Sequence, residues 1–277
     1  GDWLFKLSVI ALILIVFMAL FPGLFTKYDP NTQDMTALMT KPCAAHPFGT
    51  DNYGRDIFAR VLYGARIDLL IGLLAMLVPF IIGSLVGLIS AYYGKIVDAI
   101  IMRILDVVTA FPFIVLMILI VTILGASMKN LFIAIWLVGW REYAKLVRSE
   151  VLVEKNSEYV QAAKILGFSD RRIMIRHILP NVIGSAFVYG ISDIMLCMLM
   201  AASMSFLGLG VQPPTPEWGS MISEGRAYIT SAWWTATFPG LALAVVGIAI
   251  SLFGNGLAKK MGVKLSLIHI SEPTRHL

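Results

Sequence analysis

Few residues in this sequence are placed to do covalent or metal chemistry. The four histidines, His46, His177, His269 and His276, are scattered. The two cysteines, Cys43 in a polar loop and Cys197 in an apolar run, have neither disulfide nor metal-ligand spacing. No G-x-x-x-x-G-K-S/T loop occurs, so the chain carries no nucleotide-phosphate cradle of its own. Gly208-Leu209-Gly210 follows no strand and reads as a turn. What remains is charge inside apolar runs. Asp193 is the one acid deep in such a run; it is expected to face other helices, with a pathway role as the alternative. Arg103 and Asp106, spaced i, i+3 near the start of another run, suggest a local ion pair, with a translocation path as the alternative. Met195, Met198, Met200 and Met204 suit adaptable packing better than a metal box.

The chemistry that does stand out is docking. Between two apolar runs, Glu158–Pro180 carries Glu158, Lys164, Asp170, Arg171, Arg172 and Arg176. Tyr159, Ala162, Ala163 and Leu166 recur at i, i+3, i+4, i+7, which predicts one small apolar face on a short helix. Gly167 ends that helix, because glycine reaches left-handed backbone angles at little cost. Ser169-Asp170 starts another as N-cap and first-turn acid, and Pro180 opens the next apolar run.

The elements that must hold this stretch are membrane spans. The 277 residues are 58% hydrophobic and 14% charged, against roughly 25% charged for a soluble domain. The fold class is therefore all-α and polytopic, with six transmembrane helices. The expected spans are Leu7–Phe25, Leu69–Ala91, Ala99–Leu124 broken at Phe111-Pro112-Phe113, Leu131–Val147, Asn181–Leu207 and Thr235–Leu257. Residues 1–26 form the first transmembrane unit, with no signal-cleavage pattern. Residues 27–66 form a turn-rich extracytoplasmic loop and an amphipathic collar helix, apolar at Ile57, Phe58, Val61, Leu62 and Ala65 and charged at Arg55, Asp56, Arg60 and Arg66. Residues 67–258 form the five-helix remainder, with the docking helix at about 158–167. Gly83 and Gly87, in G-x-x-x-G spacing, allow another helix close approach. The Gly208–Trp234 loop is dense in Gly, Pro and Trp and follows a defined path.

A net charge of +5 would suggest nucleic acid in a soluble protein; in a membrane protein it reflects basic cytoplasmic loops. Arg141, Lys145, Arg148, Lys155, Lys164, Arg171, Arg172, Arg176, Lys259 and Lys260 fall on one side, so that side and both termini are expected inside. Arg55, Arg60 and Arg66 on the other side run against the rule. The start at Gly1 suggests a missing or processed N-terminus. Leu265–Arg275 follows no upstream pattern and resembles a translated sequencing adapter, so 265–277 is set aside from fold reasoning.

Gln161-Ala162-Ala163, three residues, Gly167, nine residues and His177-Ile178-Leu179-Pro180 resemble the E-A-A, three, G, nine, I-x-L-P motif of binding-protein-dependent ABC importer permeases. Gln161 stands where that motif has an acid, and His177 where it has isoleucine. Further segments are similar to the C-type subunit of the dipeptide/oligopeptide/nickel branch: H-P-F-G-T-D-N-Y-G-R-D at His46–Asp56, Y-G-A-R at Tyr63–Arg66, R-H-I-L-P-N at Arg176–Asn181 and S-F-L-G-L-G-V-Q-P-P-T-P-E-W-G at Ser205–Gly219. The resemblance implies a type I importer permease fold in a bacterial cytoplasmic membrane. It also implies a homologous B-type permease as the other half of the pathway, two ATPase subunits that bind ATP and Mg²⁺, an extracytoplasmic binding protein, and no cofactor in this chain. Glu158, Tyr159, Gln161, Ala162, Ala163, Leu166, Gly167 and Pro180 would then form the ATPase-coupling element, with Gly167 as its hinge, and peptide or nickel would be the cargo. A gradient-driven secondary transporter or channel is the alternative; it predicts inverted repeats and several midplane ionisable residues, of which only Asp193 is a candidate.

Overall fold

In the computed structural model, residues 2–262 are described; the expectation for 265–277 lies outside them. The elements are α1 (Asp2–Leu20), α2 (Ile57–Tyr93), α3 (Lys95–Thr109), α4 (Phe113–Leu124), α5 (Met128–Glu154) and α6 (Glu158–Ile165). They are followed by α7 (Asp170–Phe206), α8 (Trp218–Arg226) and α9 (Trp234–Lys260). No strand occurs among the described residues.

The six expected spans take three forms. Helices α1, α2, α7 and α9 are each long and apolar enough to cross a bilayer, and α3 with α4 forms a broken span bent by 85°. The bend falls at Pro112, which lacks an N–H to donate and keeps the preceding residue out of helical backbone. The sixth, α5, has 27 residues, enough to cross at about 1.5 Å per residue. Its apolar part is short, because Arg141 begins a basic second half.

The collar helix is not a separate surface helix. Nothing between Arg66 and Leu69 breaks helical backbone, so α2 runs unbroken for 37 residues from an Asp56 N-cap whose carboxylate accepts the Ala59 N–H at 2.7 Å. Two of its charged residues are not on a wetted face either: Arg55 is 2% and Arg60 1% exposed, whereas Arg66 stays exposed.

Helices α2, α5 and α7 form the main core around Ile71, Ile135, Tyr143, Val147 and Ala186, and the most extensive helix contact is α2 on α5. Both glycines of the G-x-x-x-G pair serve that contact. A Cβ on Gly83 would overlap the Trp140 carbonyl oxygen and come within 2.6 Å of Tyr143 Cβ. One on Gly87 would overlap the Ala144 carbonyl and come within 3.0 Å of the Arg148 nitrogen. A second core at the opposite end packs Ile57, Val61, Trp218, Trp234 and Ile250.

The expected Arg103–Asp106 pair does not form: both side chains are exposed, and no ion pair involves either among the described residues. Asp98 ties α3 to α5 instead, accepting Arg148 Nε and Nη2 at 2.6 Å each.

Candidate docking site

Helix α6 sits at the end of the bundle where α2 and α5 finish and α7 begins. Lys155, just past α5, donates through Nζ to the Ala91 carbonyl at 2.7 Å, a cation on the last turn of α2. Tyr92 donates to Asp170 at 2.6 Å, and Lys164 lies over the Tyr92 ring at 5.5 Å. Together these contacts brace both ends of the docking stretch against α2.

Two residues of α6 turn inward. Val160 is fully buried and Ala163 is 4% exposed, both in the core cluster that includes Ile173 and Ile178. Gly167 has φ +75° and closes a Schellman cap: Phe168 N–H donates to the Ala163 carbonyl at 3.2 Å and Gly167 N–H to the Lys164 carbonyl at 3.0 Å. The Phe168 ring stacks on His177 at 5.8 Å, and the Arg172 guanidinium lies over the same ring at 4.0 Å. The chain therefore reverses rigidly from α6 into α7.

Tyr159 links three elements. Its hydroxyl bonds to the Glu154 carboxylate at the end of α5, accepts Asn181 Nδ2 at 2.7 Å and lies 3.1 Å from the His177 carbonyl. Partial burial and the Glu154 carboxylate raise its pKa above the usual phenol value. The His177 carbonyl also accepts Asn181 Nδ2 at 3.0 Å. Both contacts fall where Ile173–Ile178 makes a π turn just ahead of Pro180 and the regular helix ladder is interrupted. Pro180 stands in the first turn of the regular α-helical part of α7, which begins at Leu179 directly after the π turn, and Ser169 makes no side-chain cap bond.

The predicted apolar face is divided by the structure. Ala162 and Leu166 point outward, Leu166 being 71% exposed, and Tyr159 is half out; Ala163 points into its own chain. Ile165, 86% exposed, belongs to the outward patch and was not in the predicted face. Glu158 and Gln161 are exposed beside it, with Gln161 Nε2 donating to the Lys155 carbonyl at 3.2 Å. The outward surface of α6 is thus Ala162, Ile165 and Leu166, an aliphatic patch at a bundle end rich in cations.

Asp193 lies in the bundle. Its Oδ2 accepts the Tyr143 hydroxyl at 2.7 Å and faces Cys197 Sγ at 3.8 Å. It borders a cavity of about 200 Å³ between α2, α4, α5 and α7.

The opposite end holds two buried arginines, Arg55 and Arg60. Arg55 donates to Asp51 at 2.6 Å and to Glu224 at 2.7 Å, and Arg60 donates to the Pro30 carbonyl at 3.0 Å and the Pro214 carbonyl at 3.3 Å. The lattice clamps the loop before α2 to the segment before α8. The end of the His46–Asp56 segment is thus tied to α8 through Arg55–Glu224, and the start of α2 to the Ser205–Gly219 segment through Arg60 and Pro214. Nearby, the buried Asp68 accepts the Trp218 N–H at 3.1 Å, and the fully buried Glu217 accepts the Gly219 and Ser220 N–H groups at 2.9 and 2.8 Å.

Burial raises the Glu217 pKa above its usual 4.5, against the lowering effect of the Ser220 and Gly219 N–H groups. The folded state thus holds a proton that the unfolded chain releases. Stability from this group is complete below about pH 4.5 and declines as pH rises toward the folded pKa. Thermal unfolding of the solubilised protein should show this fall, and Glu217→Gln should flatten it; an unchanged pH profile in the variant would show that Glu217 does not hold that proton.

Comparison with known proteins agrees with this geometry. Residues 83–263 match the family described as "Binding-protein-dependent transport system inner membrane component". The dipeptide transport system permease protein DppC of Alkalihalophilus pseudofirmus is 41% identical over 263 residues, 94% of this chain and 86% of that protein. The di/tripeptide permease DppC of Pseudomonas aeruginosa is 39% identical over 264 residues, 93% of this chain and 87% of that protein. The glutathione permease GsiD of Pectobacterium atrosepticum is 42% identical over 260 residues, 94% of this chain and 85% of that protein. Among solved structures, the MetNI methionine ABC transporter, described as inward facing, superposes with a TM-score of 0.59 at 16% identity, covering 74% of this chain and 97% of that chain. That likeness establishes the fold. The chain belongs to the binding-protein-dependent transport family, as a multi-pass inner-membrane permease component of an ABC importer and not as an enzyme.

Proposed function

We propose that this chain is one half of the transmembrane pathway of an ATP-driven peptide importer, and that ATPase subunits dock on the outward patch of α6. The observation that carries the docking is the exposed aliphatic surface of Ala162, Ile165 and Leu166 on a helix braced from behind by Val160 and Ala163. A patch that stays dry only when covered, in a chain without a phosphate loop, fits a socket on an energy-supplying partner. Peptide is the cargo because the relatives named above carry dipeptide, di/tripeptide and glutathione in their names. A second, B-type permease would cover the lipid-exposed aliphatic side of α3 and α4, where Ile96 and Ile123 stand well out. An extracytoplasmic binding protein would meet the clamped loops at the other end.

The α6 end is cytoplasmic in this reading. It gathers Arg148, Lys155, Lys164, Arg171, Arg172 and the Lys260 ammonium, which lies over Phe5 at 4.2 Å and so brings the start of α1 and the end of α9 together. Arg55 and Arg60 at the other end do not oppose the positive-inside rule as free charges, because Asp51 and Glu224 lie within 2.7 Å of Arg55 and 3.9 Å of Arg60.

Motion of the ATPases would reach α7 through Tyr159, Asn181 and the Schellman turn, and so shift a two-state bundle. Gly167→Val keeps open space around its side chain but forces a β-branched residue to φ +75°, a cost of about 1–2 kcal/mol. The turn should loosen, leaving assembly partly intact while ATP hydrolysis no longer drives uptake; normal uptake by this variant would remove Gly167 from the coupling path. The function itself is tested with the complete transporter in vesicles. Labelled dipeptide should accumulate with ATP and binding protein and be indifferent to an uncoupler. Accumulation on a proton or sodium gradient without ATP would instead make the chain a secondary transporter.

A further inference from the structure

The cavity beside Asp193 carries one charge more than the bundle needs. Its chemically distinctive lining is Phe113, Arg141, Glu142, Tyr189, Asp193 and Cys197, with aliphatic residues elsewhere. Arg141 and Glu142 answer each other at 3.0 Å. Asp193 has no cationic partner among the described residues: Oδ2 is held by the Tyr143 hydroxyl and Cys197, and Oδ1 is bonded to none of them. Tyr143 is itself fixed between Phe80 at 5.8 Å and Tyr189 at 5.0 Å, so the carboxylate is held in place rather than swinging free. A carboxylate kept in an apolar cavity without a counter-ion is costly, and a mobile cation relieves that cost.

The lining indicates which cation. A metal ion of the calcium or magnesium kind wants six or more oxygens, and no group of three His, Cys, Asp or Glu residues that could hold a metal occurs among the described residues. One carboxylate with aromatic rings nearby suits an organic ammonium, which takes one ion pair and lies against ring faces. We infer that the Asp193 cavity is a transit site for the α-ammonium group of the peptide cargo, Asp193 pairing with the amino terminus and Tyr143 positioning the carboxylate. The inference rests on the peptide-permease reading above and names where, in this chain, a peptide's charged end is held while it crosses.

Cys197 is a reporter already in the cavity. In the complete transporter in vesicles, its alkylation by N-ethylmaleimide is followed by mass spectrometry of the peptide that contains it. Dialanine should slow that alkylation about tenfold, the size of one ion pair worth about 1.4 kcal/mol, while N-acetyl-dialanine should leave it nearly unchanged. Asp193→Asn should remove the protection, and Asp193→Glu should keep much of it. In the same vesicles Asp193→Asn should lower maximal ATP-driven dialanine uptake about tenfold, with Asp193→Glu retaining most of it. Equal protection by the acetylated peptide, protection that survives in Asp193→Asn, or undiminished uptake by that variant would each overturn the inference. If Cys197 resists alkylation in every state, uptake by the two variants decides. Failure of the underlying reading looks different: the wild-type vesicles would not accumulate dialanine with ATP at all.

Discussion

Gly87→Leu should abolish the folded permease. Gly87 lies where α2 meets the backbone of α5, and even a methyl group there would overlap the Ala144 carbonyl oxygen. Adding a methylene to a packed core typically costs about 1–3 kcal/mol when neighbouring side chains can yield. Here the obstacle is helical backbone, which cannot yield without separating the two helices. Separation would open the contact that buries Ala144, Val147 and Val151 of α5 and would draw Arg148 from Asp98, its partner at 2.6 Å. The cost is therefore expected to exceed that range and to reach the whole stability of a typical domain, about 5–15 kcal/mol. Expression in membranes followed by size-exclusion chromatography in mild detergent measures it: no monodisperse peak should survive. Gly87→Ala should lower the peak less, because one methyl group forces a smaller separation of α2 and α5 than an isobutyl group. A normal peak for Gly87→Leu would mean that α2 and α5 do not approach as described.

The second large effect separates two adjacent alanines. Ala163→Arg places a cation among Val160, Ile173 and Ile178, all fully buried, and an unpaired buried charge costs several kcal/mol. It should disturb the turn from α6 into α7 and lower the unfolding temperature of the isolated chain. Ala162→Arg puts the same cation on the exposed side of α6, where the free chain tolerates it. In the complete transporter that same arginine would meet the apolar socket of an ATPase, and ATP-driven uptake should fall to background. The two variants thus exchange roles: one damages the fold, the other only the partnership. Equal unfolding temperatures for both would contradict the inward placement of Ala163.

Much of this was legible along the chain because local rules govern it. Proline set the break at Pro112, glycine set the turn at Gly167, and the spacing of Gly83 and Gly87 announced a close helix contact. The apolar runs gave the spans, although α5 passes for one by length more than by composition. Three things were not legible. Which side of α6 faces inward depends on Ile173 and Ile178 after the turn, and a helix of eight residues offers too few repeats to define a stripe. Arg55 and Arg60 read as wetted because charges usually are; their burial depends on Glu224, which lies 169 residues from Arg55 along the chain. Likewise, nothing local brings Asp68 to the Trp218 N–H, 150 residues away. Asp193 drew attention on sequence as a lone deep acid, but its hold by Tyr143 is a contact across 50 residues, and only the fold supplies it.

Co-purification of the ATPase subunits with the tagged chain tests the central claim most directly. The wild-type chain should bring them down from solubilised membranes, and Ala162→Arg should lose them while keeping the wild-type elution volume and unfolding temperature. ATPases retained in wild-type amounts by a correctly folded Ala162→Arg chain would contradict the account, because the outward face of α6 would then not be where they dock.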